Sequence, residues 1–114
     1  MGQAVDRCDV AEAIRILEEN YLEIRTVSDW ATCMGYSRSY FCRCFTKEFG
    51  INPKDHLKLY RLRLIKNEIK KDPEAIGYKI AVSTGLPDEK ALHKFLANHF
   101  DKNLTILREE NQAA

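Results

Sequence analysis

The sequence predicts an all-α fold, two helix-turn-helix subdomains joined by a long central helix, and three observations predict it. Apolar residues recur at steps of three and four along most of the chain. Glycine, or an asparagine or aspartate followed by proline, interrupts those runs at short intervals. One set of landmarks then returns after about fifty residues, as a duplicated unit requires. Residues 1–52 are expected to form the first lobe, with a presented helix at 38–49. Residues 53–71 form the central helix and residues 72–114 a second, divergent lobe.

Length and composition bound the rest. At 114 residues and 45% hydrophobic, the chain can bury one ordinary core or two small ones, and two independent domains are not expected. No apolar run approaches the roughly 20 residues that cross a bilayer. The start, M-G-Q-A-V-D-R-C, lacks the apolar stretch of a secretory signal, so a cytoplasmic location without a membrane partner is expected. Cys8, Cys33, Cys42 and Cys44 contain no C-x-x-C pair, which favours reduced thiols over a disulfide framework or a zinc knuckle. His56, His93 and His99 stand at no metal-ligand spacing. No Ser-His-Asp arrangement, glycine-rich phosphate loop or paired carboxylates are evident, so the expectation is a binding protein rather than an enzyme, with no metal and no cofactor.

In chain order, residues 9 to 22 read as an amphipathic helix with Val10, Ile14, Leu17 and Tyr21 on its buried stripe. A short helix follows, with Thr26 as N-cap and Asp29 three residues on. It carries Trp30, Ala31 and Met34 inward and stops at Gly35. Only Gly35, Tyr36 and Ser37 then separate it from a helix opening at Arg38, which makes residues 26 to 49 a helix-turn-helix candidate. On that last helix Phe41, Cys44, Phe45 and Phe49 fall on one side; Arg38, Ser39, Cys42, Arg43, Thr46 and Lys47 fall on the other.

Gly50 ends this helix, and Asn52-Pro53 opens the central one with an N-cap and a proline at its first position. Leu57, Tyr60, Leu64 with its neighbour Ile65, and Ile69 mark the expected buried stripe to about Lys71. Asp72-Pro73 repeats the stop-and-start signal, predicting a helix at about 74 to 84 that carries Ile76, Ile80 and Ala81 inward. The duplication is visible here. Ala31-x-x-x-Gly35-Tyr36 returns as Ala81-x-x-x-Gly85-Leu86, and Phe41, Phe45 and Phe49 return as Leu92, Leu96 and Phe100. A last helix is expected from Leu104 to Glu110 behind Asn103, packing Leu104 and Leu107, with a frayed tail after it.

Charge is local rather than global. The net charge is only +1, yet residues 1 to 37 hold 3 Lys/Arg against 7 Asp/Glu, residues 38 to 71 hold 10 against 3, and residues 72 to 114 hold 5 against 7. A field concentrated in the middle third suits an anionic partner there. A helix face of cations and small hydroxyls suits a nucleic-acid groove, because arginine can pair with guanine edges while lysine and serine hold phosphates. A solvated helix face is the competing reading of the same residues.

With these landmarks the sequence resembles the DNA-binding domain of the AraC/XylS family of bacterial transcription regulators over about residues 9 to 110. The resemblance rests on Ala31, Gly35, Ser37, Phe41, Arg43, Phe45, Lys47, Phe49-Gly50 and Pro53 in the first unit. Arg61 in the central helix and Ile80-Ala81, Gly85 and Phe100 in the second unit complete it. The second unit departs from the family pattern: Leu86 replaces a phenylalanine, Leu96-Ala97 a phenylalanine and lysine, Asp101 a glycine and Leu104 a proline.

The resemblance implies sequence-specific binding of double-stranded DNA, one helix of each lobe entering the major groove. RNA polymerase and a separate sensing or dimerisation domain are its further candidate partners. Successive major-groove faces lie about 34 Å apart, and a helix of roughly 18 residues is about 27 Å long, which makes the central helix a sensible spacer. Arg43 is the expected base contact, Arg38, Ser39 and Cys42 rank behind it, and Thr46 and Lys47 are expected on phosphate. Arg61 has either a DNA role or the role of bracing the lobes through an acidic residue. In the second unit the outward positions are Glu89, Lys90, His93 and Lys94, of which Lys90, His93 and Lys94 suit DNA. An acid at Glu89 predicts a weaker, less specific contact there. A redox role for Cys42 and a protein-interaction module that has lost its DNA contacts are the alternatives to set beside this reading.

Overall fold

The computed structural model describes residues 9–113, and Cys8 lies outside them. Among these residues there are helices and no strands. A 3₁₀ turn, Val10–Glu12, leads into α1 (Ala13–Asn20). α2 (Val27–Met34) and α3 (Arg38–Phe49) follow, then the long α4 (Pro53–Lys71). α5 (Gly77–Ser83), α6 (Glu89–Phe100) and α7 (Leu104–Ala113) complete the chain. Two compact units divide between Leu57 and Lys58, so the first turns of α4 go with the first unit and the remainder with the second.

The first unit is built on Trp30. Its indole is fully buried and stacks at an angle on Phe41 (5.2 Å between ring centroids), Phe45 (5.0 Å) and His56 (5.8 Å). Its Nε1–H donates to the carbonyl of Ala13 at 3.0 Å, satisfying the polar edge that a buried tryptophan must place. That bond explains why α1 differs from expectation. Its anchors are Ala13 and Leu17, with Ile24 beyond it, while Val10, Ile14 and Tyr21 are only half-buried. A small residue at position 13 lets the indole reach the backbone. The helix is also shorter than the expected 9 to 22, because Asp9 caps a 3₁₀ turn at one end and the α-helix closes at Asn20, with Tyr21 as its C-cap, at the other.

α2 opens with the expected capping box: the Thr26 hydroxyl accepts from the Asp29 amide at 3.1 Å, and the Asp29 carboxylate accepts from the Thr26 amide at 3.1 Å. α4 opens similarly, the Asn52 side-chain oxygen accepting from the Asp55 amide at 2.9 Å. Within α4 the buried residues are Pro53, Leu57, Tyr60, Leu62, Ile65 and Ile69, whereas Leu64 is only half-buried. At roughly 100° per residue, Leu62, Ile65 and Ile69 share one bearing about the axis and Leu57, Tyr60 and Leu64 another, about 140° away. The single stripe read from the sequence is thus two stripes.

The core of the second unit gathers Leu62, Ile65, Ile69, Ala75, Ile80, Ala81, Leu92, Leu96, Leu104 and Leu107. Here the sequence expectation fails at the entrance. Asp72-Pro73 does not start a helix but a tight turn, closed by the Ala75 amide on the Asp72 carbonyl (3.0 Å) and the Glu74 amide on Asp72 Oδ1 (3.2 Å). Proline fits the second position of a turn as well as the first of a helix. α5 therefore begins only at Gly77, Ala75 takes the inward place and Ile76 is 66% exposed. Arg108 fastens α7 to this turn by donating to the Ala75 carbonyl at 2.6 Å. α7 also runs three residues beyond the expected end at Glu110.

Candidate nucleic-acid interface

Each unit presents one helix after a tight turn, and the two turns share a hydrogen bond. Gly35 adopts a left-handed conformation (φ 80°), and the amide of Tyr36 returns to the carbonyl of Ala31 at 2.9 Å. In the second unit Gly85 (φ 89°) permits the same return, from the amide of Leu86 to the carbonyl of Ala81 at 2.8 Å. Ser37 then caps α3 through the Tyr40 amide (3.3 Å), as Asp88 caps α6 through the Ala91 amide (2.8 Å). At the far ends Gly50 (φ 74°) and Asp101 (φ 53°) occupy equivalent left-handed positions, so the aspartate does a glycine's work.

On α3, Phe41 and Phe45 are fully buried and set the inward direction. At roughly 100° per residue, Arg43 lies opposite their midpoint, flanked by Ser39 and Lys47. Arg38, Ser39, Arg43, Thr46 and Lys47 are all exposed. Two expected residues stand apart from this row: Cys42 is half-buried at its edge, and Arg38 owes its exposure to its place in the first turn, since its bearing is nearer the core stripe. Tyr40 is not among the residues expected from the sequence. It is 42% exposed and lies three residues before Arg43, whose guanidinium carbon stands 5.8 Å from its ring centroid. The i,i+3 spacing of an aromatic and an arginine is the signal that could have found it.

On α6, Leu92 and Leu96 are buried where Phe41 and Phe45 are in α3. Lys90, His93 and Lys94 are exposed, with Lys94 at the place of Arg43 and Lys90 at that of Ser39. Glu89 behaves differently from expectation. Its carboxylate lies against the backbone of Gly77, so that a Cβ there would sit 2.6 Å from its Cδ and Oε2, and it meets His93 Nε2 at 3.4 Å. This acid faces the start of α5 and lies beside His93 rather than standing alone on the presented row. Among the described residues no three His, Cys, Asp or Glu side chains group as a metal site, and no helix is long and apolar enough to cross a membrane.

A helix-turn-helix domain model of the AraC type matches residues 30–110. The chain belongs to the AraC-type helix-turn-helix family. The match runs from α2 to α7 and so takes in both turns and both presented helices, leaving α1 outside it. Two Bacillus subtilis (strain 168) proteins are similar to it. The uncharacterized HTH-type transcriptional regulator YbfI is 30% identical over 81 residues, 71% of this chain and 29% of that protein. The uncharacterized HTH-type transcriptional regulator YisR is 29% identical over 77 residues, 68% of this chain and 26% of that protein. The chain thus spans less than a third of these relatives. Its fold is that of the DNA-binding domain of AdpA, a global transcriptional factor solved with a target DNA, at TM-score 0.72 and 20% identity over 93% of this chain and 95% of that one. For an AraC-type chain the two turns and their shared backbone bond are the features that hold the presented helices.

Proposed function

We propose that this chain is the DNA-binding part of a transcription regulator, reading sequence in the major groove through α3 and gripping the duplex more weakly through α6. The observation that carries this reading is the row Ser39, Arg43 and Lys47, set opposite the buried Phe41 and Phe45 on a helix held by caps at both ends. An arginine at the centre of a convex helix face is what bidentate pairing with guanine needs, and its hydroxyl and lysine neighbours suit phosphate. Arg43 is the base contact; Arg38, Ser39 and Cys42 support it at the groove; Thr46 and Lys47 meet phosphate. In α6, Lys90 and Lys94 contribute charge and His93 a ring donor, without a guanidinium. Residues 1–52 and 72–114 act as the two reading lobes about the helix 53–71. Function on DNA implies a cytoplasmic site of action in a bacterium.

The test is selection of bound duplexes from a random pool at low salt, followed by affinity for the winner at two salt concentrations. Enrichment of a site, steep weakening with salt and loss on Arg43→Ala support the proposal; absence of any DNA binding would overturn it.

A second reading concerns protein partners. Ile76, Tyr78 and Val82 are 66%, 56% and 46% exposed, at positions where the first unit carries Thr26, Ser28 and Thr32. Tyr78 and Val82 share one face of α5 with Ile76 at its N-cap, and an exposed apolar set where the other copy of the duplicated unit is polar supports a protein-facing role for this element. RNA polymerase and a separate sensing or dimerisation domain are the candidates, the latter supported by the greater length of YbfI and YisR. Binding through those residues would be nearly independent of salt, unlike binding to DNA.

A further inference from the structure

We infer that Tyr40 is a positioning residue for Arg43, and that the pair, rather than the arginine alone, gives the first unit its base discrimination. The inference rests on the DNA-reading role proposed for α3.

The geometry is a chain of rings running from the core to the guanidinium. Phe41, fully buried, lies 5.2 Å from Trp30 and 5.6 Å from Phe45. Tyr36, half-buried in the turn, lies 6.2 Å from Phe41 and meets Tyr40 edge-on at 5.3 Å and 84°. Tyr40 in turn carries the Arg43 guanidinium, whose carbon stands 5.8 Å from its ring centroid. Tyr36 is itself held by its backbone bond to Ala31. Each ring limits the next, so the far end of a long, exposed side chain is restrained by the core. An arginine on a solvated helix face otherwise samples many rotamers, and those must be frozen before two hydrogen bonds to one base can form. A ring beneath the guanidinium removes part of that freedom in advance, while leaving the forked edge of the group clear.

The duplication supplies an internal control. At the places of Tyr36, Tyr40 and Arg43 the second unit has Leu86, Ala91 and Lys94. Both rings and the planar cation are absent together. Lysine, a compact point charge with rotatable donors, has no plane for a ring to orient, so the aromatic support is of use only where the guanidinium stands.

The experiment measures, for the selected duplex and a duplex with the Arg43-dependent guanine replaced, the ratio of affinities and the salt slope of each. It compares wild type with Tyr40→Leu, Tyr40→Phe, Arg43→Ala and the double variant Tyr40→Leu/Arg43→Ala. The expected result is that Arg43→Ala removes most of the discrimination and Tyr40→Leu lowers it by about two- to five-fold, the size of an exposed cation–π contact. Tyr40→Phe keeps the ring and restores the ratio, the double variant is no worse than Arg43→Ala, and the salt slope does not change with Tyr40→Leu. If Arg43→Ala leaves discrimination intact, the reading role of α3 falls and the positioning role with it. If Arg43→Ala removes discrimination but Tyr40→Leu does not lower it, only the positioning role is overturned. A loss with Tyr40→Phe as large as with Tyr40→Leu would assign the effect to the hydroxyl and also overturn it. Because Tyr40 is 42% exposed, unchanged thermal unfolding in Tyr40→Leu separates positioning from folding.

Discussion

The indole N–H of Trp30 donates to the backbone carbonyl of Ala13, 3.0 Å away and buried, across seventeen residues of sequence. This bond fastens α1, which lies outside the family match, to the helix-turn-helix behind it. Trp30→Phe keeps a ring among Phe41, Phe45 and His56 but leaves the Ala13 carbonyl without its side-chain donor and a space beside it. The expected cost is about 1–3 kcal/mol, read as a lower urea midpoint with an unchanged denaturant slope.

Gly50 and Asp101 end the two presented helices in the same left-handed conformation, at φ 74° and 53°. A Cβ at Gly50 would meet nothing within 4 Å, so only backbone strain opposes it. Gly50→Ala is expected to destabilise by about 1 kcal/mol, with Gly50→Asn costing less. Asp101→Gly is expected to do the reverse, stabilising by up to about 1 kcal/mol. Thermal unfolding of the three variants tests the pair of assignments together.

Charge reversal ranks the two presented helices. Arg38→Glu and Arg43→Glu are expected to weaken binding to the selected duplex more than Lys90→Glu and Lys94→Glu do, and Arg43→Ala alone to cost roughly 1–3 kcal/mol. Each lysine lost from a phosphate contact should reduce the salt slope by about one without altering which site is preferred. Fluorescence titration at several salt concentrations gives both numbers, and an inverted ranking would transfer the reading role to α6.

Lys102 donates to both carboxylate oxygens of Glu110, at 3.1 and 2.8 Å, tying the α6–α7 connection to α7. That hydrogen bond holds Glu110 below its ordinary value of 4.5. A lowered carboxylate adds stability that is present above the ordinary value and drains as pH falls through the lowered one. Lys102→Met should therefore flatten the acid limb of the stability profile below about pH 4.5 and leave its shape near neutrality unchanged, as measured by urea unfolding across pH.

The helices with strong punctuation were legible in the residues. Thr26 with Asp29, Ser37, Gly50 and Asn52-Pro53 act within a few residues of themselves, and local hydrogen bonding is enough to decide them. The duplicated Ala31/Gly35 and Ala81/Gly85 landmarks were legible for the same reason, since each turn is closed by one short-range backbone bond. Asp72-Pro73 misled because proline serves a turn and a helix start equally well, and only the inward place taken by Ala75 decides between them. Leu62 escapes a single-stripe reading because α4 buries residues on two bearings.

The sequence by itself determined the helical class, the two turns, the presented helices and the local excess of positive charge, because these follow from periodicity, capping and composition. Tertiary structure alone decided the bond from Trp30 to Ala13 and the burial of Thr84, whose hydroxyl donates back to Ile80 and Ala81 carbonyls. It also turned Glu89 against Gly77. Those are matters of where one side chain finds room beside another. Spacing along the chain says which face a residue takes, but the packing of neighbours says which way its far end points.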